Sequence, residues 1–300
     1  MIALLQFIHS ILGSLLSSFA VVLLIALFAA LLNYLFPSYS EWTKQLLFII
    51  ILLVVLRPAF EQVLLIQTMM KSVSALFVAS YPVLTAGMAI SGNVLSLISF
   101  QPALLLFAQG AVFFADRLLL PLMTAALLFD IITHLNPRIS YAKLSDMLRT
   151  TLLSIVSAIV AAYSIFITAG GAVTFGLSES ASEPIKELIS KNIPFVGSFV
   201  TDSLGALGRY SSGAGTMAGG WLLATLWGLA AMPVFQTLLI AFLYRWSAAI
   251  IEPFAPEVYS DVLDDIGRSL FVLSSLTFLL IFAFVYTILF FIVFLKLMGG

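Results

Sequence analysis

The sequence contains no cysteine, which excludes disulfides, thiolate metal sites and a cysteine nucleophile, and leaves the redox compartment unwritten. Its two histidines, His9 and His134, stand far apart in the chain. Charge is scarce as well: Asp, Glu, Lys and Arg make up 9% of the residues, against about a quarter in soluble domains. The 13 basic and 14 acidic residues nearly cancel, so the basic stripe needed to neutralise a nucleic-acid backbone is missing. Catalytic patterns are lacking too. There is no His-Glu-x-x-His metal motif, no serine nucleophile elbow and no phosphate-cradling Gly-rich loop closed by Lys. Gly176-Leu177-Ser178 is similar to a membrane serine protease motif, but neither histidine follows it, and it reads as a Ser-rich loop. The sequence therefore predicts no enzyme, no cofactor and no resident metal.

What is present is apolar surface. Hydrophobic residues make up 62% of the chain and the mean hydropathy is +1.17. Too little polar surface remains to coat a water-facing globule, so the solvent is a lipid bilayer. About 20 apolar residues cross about 30 Å of hydrocarbon, and Ile11 to Phe36 does so without a charge. No Lys or Arg precedes it, so it is not a cleavable signal peptide, and the chain reads as beginning at its first span. Trp42 to Leu56 is a short second span closed by Arg57 and Pro58. An amphipathic stretch from Ala59 to Ser80 feeds a third, Val73 to Ile90. Pro102 to Leu135 would be about 51 Å long as one helix, and Pro121 in its middle predicts a kink or break. Asn136 to Arg149 reads as a polar linker before a plain span, Thr151 to Ala169. Gly219 to Ile251 is a second overlong helix interrupted at Pro233. The linker Glu252 to Arg268 and a final span, Leu270 to Leu297, complete an all-α, polytopic integral membrane protein of seven or eight transmembrane or re-entrant helices.

The two halves share an order of elements. Pro137, Asp146 and Arg149 in the first linker match Pro256, Asp265 and Arg268 in the second at one common offset. Residues 1–58 then form two N-terminal helices, 59–172 a first repeat unit, 173–182 a polar loop and 183–297 a second unit. Three crossings per unit would invert the second copy. Loop charge agrees with that: Arg138, Lys143 and Arg149 against Asp146 mark the first linker cytoplasmic, whereas Glu252, Glu257, Asp261, Asp264 and Asp265 against Arg268 suit the outside.

Among candidate functional residues, Asp116 and Arg117 lie inside an apolar run, about 100° apart on a helix, so they do not pair face to face. Intramembrane charge is a functional hypothesis; the alternatives are pairing with other helices, or an interface near the break at Pro121. Asp130 and His134 share a face four residues apart and read as a wetted helix end. Ile193 to Ser212 is long enough to cross but holds Asp202, which with Pro194, Gly197, Gly205 and Gly208 is the candidate pore or gate. The glycines admit close backbone approach, and a carboxylate ring in a homo-oligomer would favour cations. An interfacial helix with Asp202 and Arg209 among the headgroups is the competing reading. Tyr244, Arg245 and Trp246 fit an interfacial anchor, and Gly215 and Gly219 have helix-contact spacing.

The segments IPFVGSFVTDSLGALG (Ile193 to Gly208), AFLYRWSAAIIEP (Ala241 to Pro253) and AGMAISGN (Ala86 to Asn93) resemble, in this order, the stage III sporulation protein AE family of endospore-forming bacteria. The family's Ile-Pro-x-x-Gly run with a following Asp is matched by Ile193, Pro194, Gly197 and Asp202. Its Tyr-basic-x-Ala-Ala run with a following Pro is matched by Tyr244, Arg245, Ala248, Ala249 and Pro253. The resemblance implies a non-enzymatic multi-pass subunit of the secretion-like channel complex between mother cell and forespore, in the mother-cell-derived outer forespore membrane. It implies as partners the other stage III sporulation A-operon membrane proteins, a secretion-type ATPase, extracellular ring-forming subunits and, across the intermembrane space, stage II sporulation protein Q. The family is expected to begin with a signal sequence and an extracellular segment, which the first residues here do not match. A stand-alone secondary transporter with inverted repeats and Pro-broken helices is the alternative.

Overall fold

A computed structural model of the chain describes residues 20, 23–24, 27–28, 31, 34–35, 41–90, 107, 109–135, 140–174, 214–253 and 257–299. All regular structure among them is helical. Five helices are long and apolar enough to cross a membrane: Phe48–Ser80, Gln109–Leu135, Ala142–Ile165, Gly220–Ile251 and Glu257–Leu289. Most of the expected span Ile11 to Phe36, and all of 193–212, lie outside the described residues.

Helix α1, Glu41–Ile90, corrects the expected pair of spans, because it runs as one 50-residue helix through Arg57 and Pro58. At 1.5 Å per residue it is about 75 Å long, well beyond one bilayer core. A proline lacks one donor and crowds the preceding turn, but a continuous buried stripe outweighs that local cost. Phe48, Leu52, Val55, Ala59, Gln62, Ile66, Met69, Val73 and Phe77 are all buried. They alternate steps of three and four residues up to the last step, the spacing of a helix seam held by neighbours on one side.

The second long segment enters as helix, widens into a π-helical turn at Ala115–Leu119, and continues as α2, Leu120–Leu135. Pro121 follows just after this turn, so the irregularity lies just before the residue that removes a backbone donor and crowds the preceding turn. Helix α3 spans Ala142–Thr174, α4 spans Ala214–Ile251 and α5 spans Glu257–Gly299. Three sequence expectations change here. Lys143, Asp146 and Arg149 are not in a linker but in the first turns of α3. Asp261, Asp264, Asp265 and Arg268 likewise belong to the start of α5. Pro233 does not break α4, which runs through it. Hydroxyls add bonds there: Thr237 Oγ1 donates to the Pro233 carbonyl at 2.9 Å, and Ser274 Oγ donates to that of Val234 at 3.0 Å.

The chain divides into two compact units. The first contains residues 1–68, 116–153 and 232–277. Within it α1 runs antiparallel to α4, since Tyr244 donates to the Val55 carbonyl at 2.6 Å and Thr237 to Gln62 at 3.2 Å. The second contains residues 69–115, 154–231 and 278–300. There Phe284, fully buried, meets Phe77 edge-on at 5.4 Å and Phe107 at 6.0 Å, and Tyr163 shares a 2.7 Å hydrogen bond with Thr287. Helix α5 is the most enclosed: 56% of its most apolar stretch is buried, against 39% or less in the others. Its small and hydroxylic residues, such as Ser269, Ser274, Thr277 and Ala283, are what let neighbours approach closely at membrane depth.

Candidate functional site: a buried ionic node joining two hairpins

Hairpin α2–α3 and hairpin α4–α5 bring their turn ends together in the first unit. Arg149, one turn into α3 beyond Asp146, is the hub. It is 3% exposed, as is Asp130 near the end of α2, and its Nη2 bonds the Asp130 carboxylate. Nε and Nη2 also donate to Ser269 Oγ at 2.9 and 2.6 Å. Nη1 donates to Asp146 at 3.0 Å, and Nη2 reaches the Asp265 carbonyl at 3.4 Å. A planar guanidinium with five donors in fixed directions can serve α2, α3 and α5 at once; a lysine cannot.

Around this hub lies a ring of more exposed pairs. Arg268 bonds Asp264 at 3.2 Å and Asp146 at 3.4 Å, and Arg245 of α4 bonds Asp264 at 2.9 Å. His134 Nε2 lies 2.9 Å from Asp265 Oδ2. Glu257 falls in the first turn of α5, where the positive end of the helix dipole favours it, and Asp261, Asp264 and Asp265 follow within the next two turns. No buried side-chain N or O atom among the described residues is left without a partner. This is what makes buried charge tolerable in a low-dielectric setting.

The node gathers four of the residues picked out by the matched linkers: Asp146, Arg149, Asp265 and Arg268. Their meeting overturns the inverted arrangement. Linkers on opposite membrane faces would be a bilayer apart, yet Arg268 touches Asp146, Arg149 touches the Asp265 backbone and His134 touches Asp265. Both hairpins therefore turn on the same side. Opposite charges on the two linkers, which as separate loops pointed to opposite faces, attract each other across one face. Asp130 is likewise not a wetted helix end but the buried partner of Arg149. The sequence signal for it was a carboxylate inside the apolar run of α2.

Other candidate residues lie elsewhere. Asp116 and Arg117 sit in the π-helical turn, a form of local widening that recurs at functional positions. Asp116 accepts a bond from Gln67 Nε2 of α1, and Arg117 faces outward. Tyr244 is buried, whereas Trp246 is 63% exposed and Arg245 is exposed too, so of the expected anchor the latter two keep an anchor's exposure. Pro137, Pro194, Gly197, Asp202, Gly205, Gly208 and Pro256 lie outside the described residues. No group of three or more His, Asp or Glu side chains suited to a metal occurs among the described residues.

Apolar helices of membrane-spanning length, held by an internal ionic node, define a polytopic α-helical membrane protein. Residues 1–294 match the family described as stage III sporulation protein AE, and the chain belongs to that family. Stage III sporulation protein AE of Bacillus subtilis (strain 168) is a relative, 21% identical over 255 residues. That alignment covers 82% of this chain and 63% of the relative, so the chain spans less than two thirds of that protein's length. No solved structure matches the chain.

Proposed function

We propose that the chain is a non-enzymatic membrane subunit of the secretion-like channel complex that connects mother cell and forespore after engulfment, residing in the mother-cell-derived outer forespore membrane. The observation that carries this reading is family membership across residues 1–294 in a chain whose described residues include five apolar helices of spanning length. Its partners on this reading are the other stage III sporulation A-operon membrane proteins, a secretion-type ATPase and the extracellular ring-forming subunits. Stage II sporulation protein Q completes the set across the intermembrane space. The ionic node suits a subunit of such an assembly, because it fixes two hairpins as one frame on which partners can dock.

On this reading Asp202, with Pro194, Gly197, Gly205 and Gly208, is the candidate gate. The stand-alone transporter reading is less favoured, since α4 runs unbroken through Pro233 and the segments that open α3 and α5 meet at one node.

The test is deletion of the gene in its native host, with complementation by wild type, Asp202→Asn and Arg149→Met. Forespores that shrink or stall after engulfment and are rescued by wild type support the channel reading. Normal sporulation of the deletion strain overturns it.

A further inference from the structure

Beside the node, between the end of α4 and the start of α5, lies a cleft of about 480 Å³, within the roughly 300–1,000 Å³ range of small-molecule sites. Its lining combines charge of both signs, from Arg245, Glu252, Asp261 and Asp264, with the aromatic rings of Phe242 and Trp246. Asp264 is engaged by Arg245 and Arg268. Glu252 and Asp261 are exposed and have no ion-pair partner among the described residues. The Arg245 side chain is 47% exposed.

The cleft sits where the spans Gly220–Ile251 and Glu257–Leu289 are joined, which places it at headgroup level. An outward stripe of α4 leads down from it. Phe235, Leu239, Phe242 and Trp246 are 55%, 40%, 41% and 63% exposed along that line. They are spaced four, three and four residues apart, so they share one helix face. Phe271 of α5 packs against Phe242 at 6.0 Å and broadens this face.

We propose that this cleft seats the headgroup of a phospholipid bearing a primary ammonium, of the phosphatidylethanolamine type, with its acyl chains along the α4 stripe. The ammonium lies between Glu252 and Asp261, and the phosphate faces Arg245. Charge complementarity selects this occupant. With Asp264 held by Arg245 and Arg268, the two carboxylates left without an ion pair, Glu252 and Asp261, repel an anionic headgroup such as phosphatidylglycerol. A choline headgroup carries the cation but donates no N–H to the carboxylates, whereas a primary ammonium has three donors. A bilayer lipid is also the molecule that the exposed stripe meets first, which favours it over a basic protein segment.

The full chain is reconstituted in nanodiscs of equimolar phosphatidylethanolamine, phosphatidylcholine and phosphatidylglycerol with identical acyl chains, and the lipids retained after a detergent wash are counted by native mass spectrometry. The expected result is phosphatidylethanolamine enriched roughly fivefold over phosphatidylcholine, the ratio that exposed charge-assisted contacts give. The double variant Glu252→Gln, Asp261→Asn is expected to abolish that enrichment with an unchanged thermal midpoint. If the double variant does not fold, Glu252→Gln alone is expected to reduce the enrichment. Equal retention of the three lipids, preference for phosphatidylglycerol, or enrichment that survives in the folded variant overturns the proposal. Absence of lipid preference combined with a sporulation defect in the folded double variant also overturns it, and assigns the cleft to a basic protein partner.

Discussion

Removing the hub of the ionic node while leaving its counter-ion in place is the sharpest perturbation the structure offers. Arg149→Met keeps most of the aliphatic stem but deletes the bonds to Asp130, Asp146, Ser269 and the Asp265 carbonyl. Asp130, 3% exposed, is then a buried carboxylate with no cation. Breaking a buried pair from one side costs about 3–5 kcal/mol, whereas replacing both partners with apolar groups is often neutral or stabilising. Asp130→Leu alone strands less charge, because Arg149 keeps Asp146 and the Ser269 hydroxyl, so about 2–3 kcal/mol is expected. The double variant Asp130→Leu, Arg149→Met is expected to recover most of the loss, with a coupling energy of about 2 kcal/mol or more. The readout is equilibrium unfolding of the purified chain in detergent, followed by far-UV circular dichroism, for wild type, both single variants and the double. Additive losses would refute the node as an energetic unit and reduce it to a coincidence of proximity.

Three other outcomes follow from the same geometry. The chain has no native cysteine, so Lys143→Cys and Glu257→Cys, both at exposed positions, are expected to react with an impermeant thiol reagent from the same side of oriented vesicles; opposite-side labelling would restore the inverted arrangement. A methyl group on Gly267 would lie 2.6 Å from Arg245 Cγ and 2.9 Å from the Ala241 carbonyl oxygen, so Gly267→Ala should destabilise by about 1–3 kcal/mol through overpacking. Gly228→Ala, with open space around it, should be neutral or stabilising by up to about 1 kcal/mol, and equal unfolding midpoints for the two would contradict the close α4–α5 crossing. Phe284→Ala, at a fully buried ring, is expected to cost about 3–5 kcal/mol, measured in the same unfolding assay.

Much of the helix plan was legible because hydrophobic runs report burial in lipid directly. The ends of α4 and the apolar cores of α3 and α5 fall where runs of uncharged residues lie. The polar segments that open α3 and α5 were legible as charged, though not as helical, and the shared offset singled out Asp146, Arg149, Asp265 and Arg268. What misled were the local signals of proline and polarity. Arg57 and Pro58 mark a helix end by propensity, yet α1 continues, because the seam from Phe48 to Phe77 packs along its whole length. Proline at 233 costs α4 one donor, and packing against α1 and α5 keeps the helix regular. Ser269 carried no signal at all; a lone serine becomes an acceptor for Arg149 only when α3 and α5 lie side by side.

By itself, the sequence determined that this chain lives in a membrane and is built from helices, since composition alone decides whether a polar coat is affordable. It also determined the family, carried by ordered motifs and confirmed across residues 1–294. Only the tertiary structure decided that the two linkers share a membrane face, that Asp130 is the counter-ion of Arg149, and that α5 is the enclosed helix. The physical reason is that each linker's charge is a local quantity, whereas its partner is not. A basic and an acidic segment read separately belong on opposite faces, but the same two segments in contact as the first turns of α3 and α5 neutralise each other, and which of these holds depends on packing between residues more than a hundred positions apart.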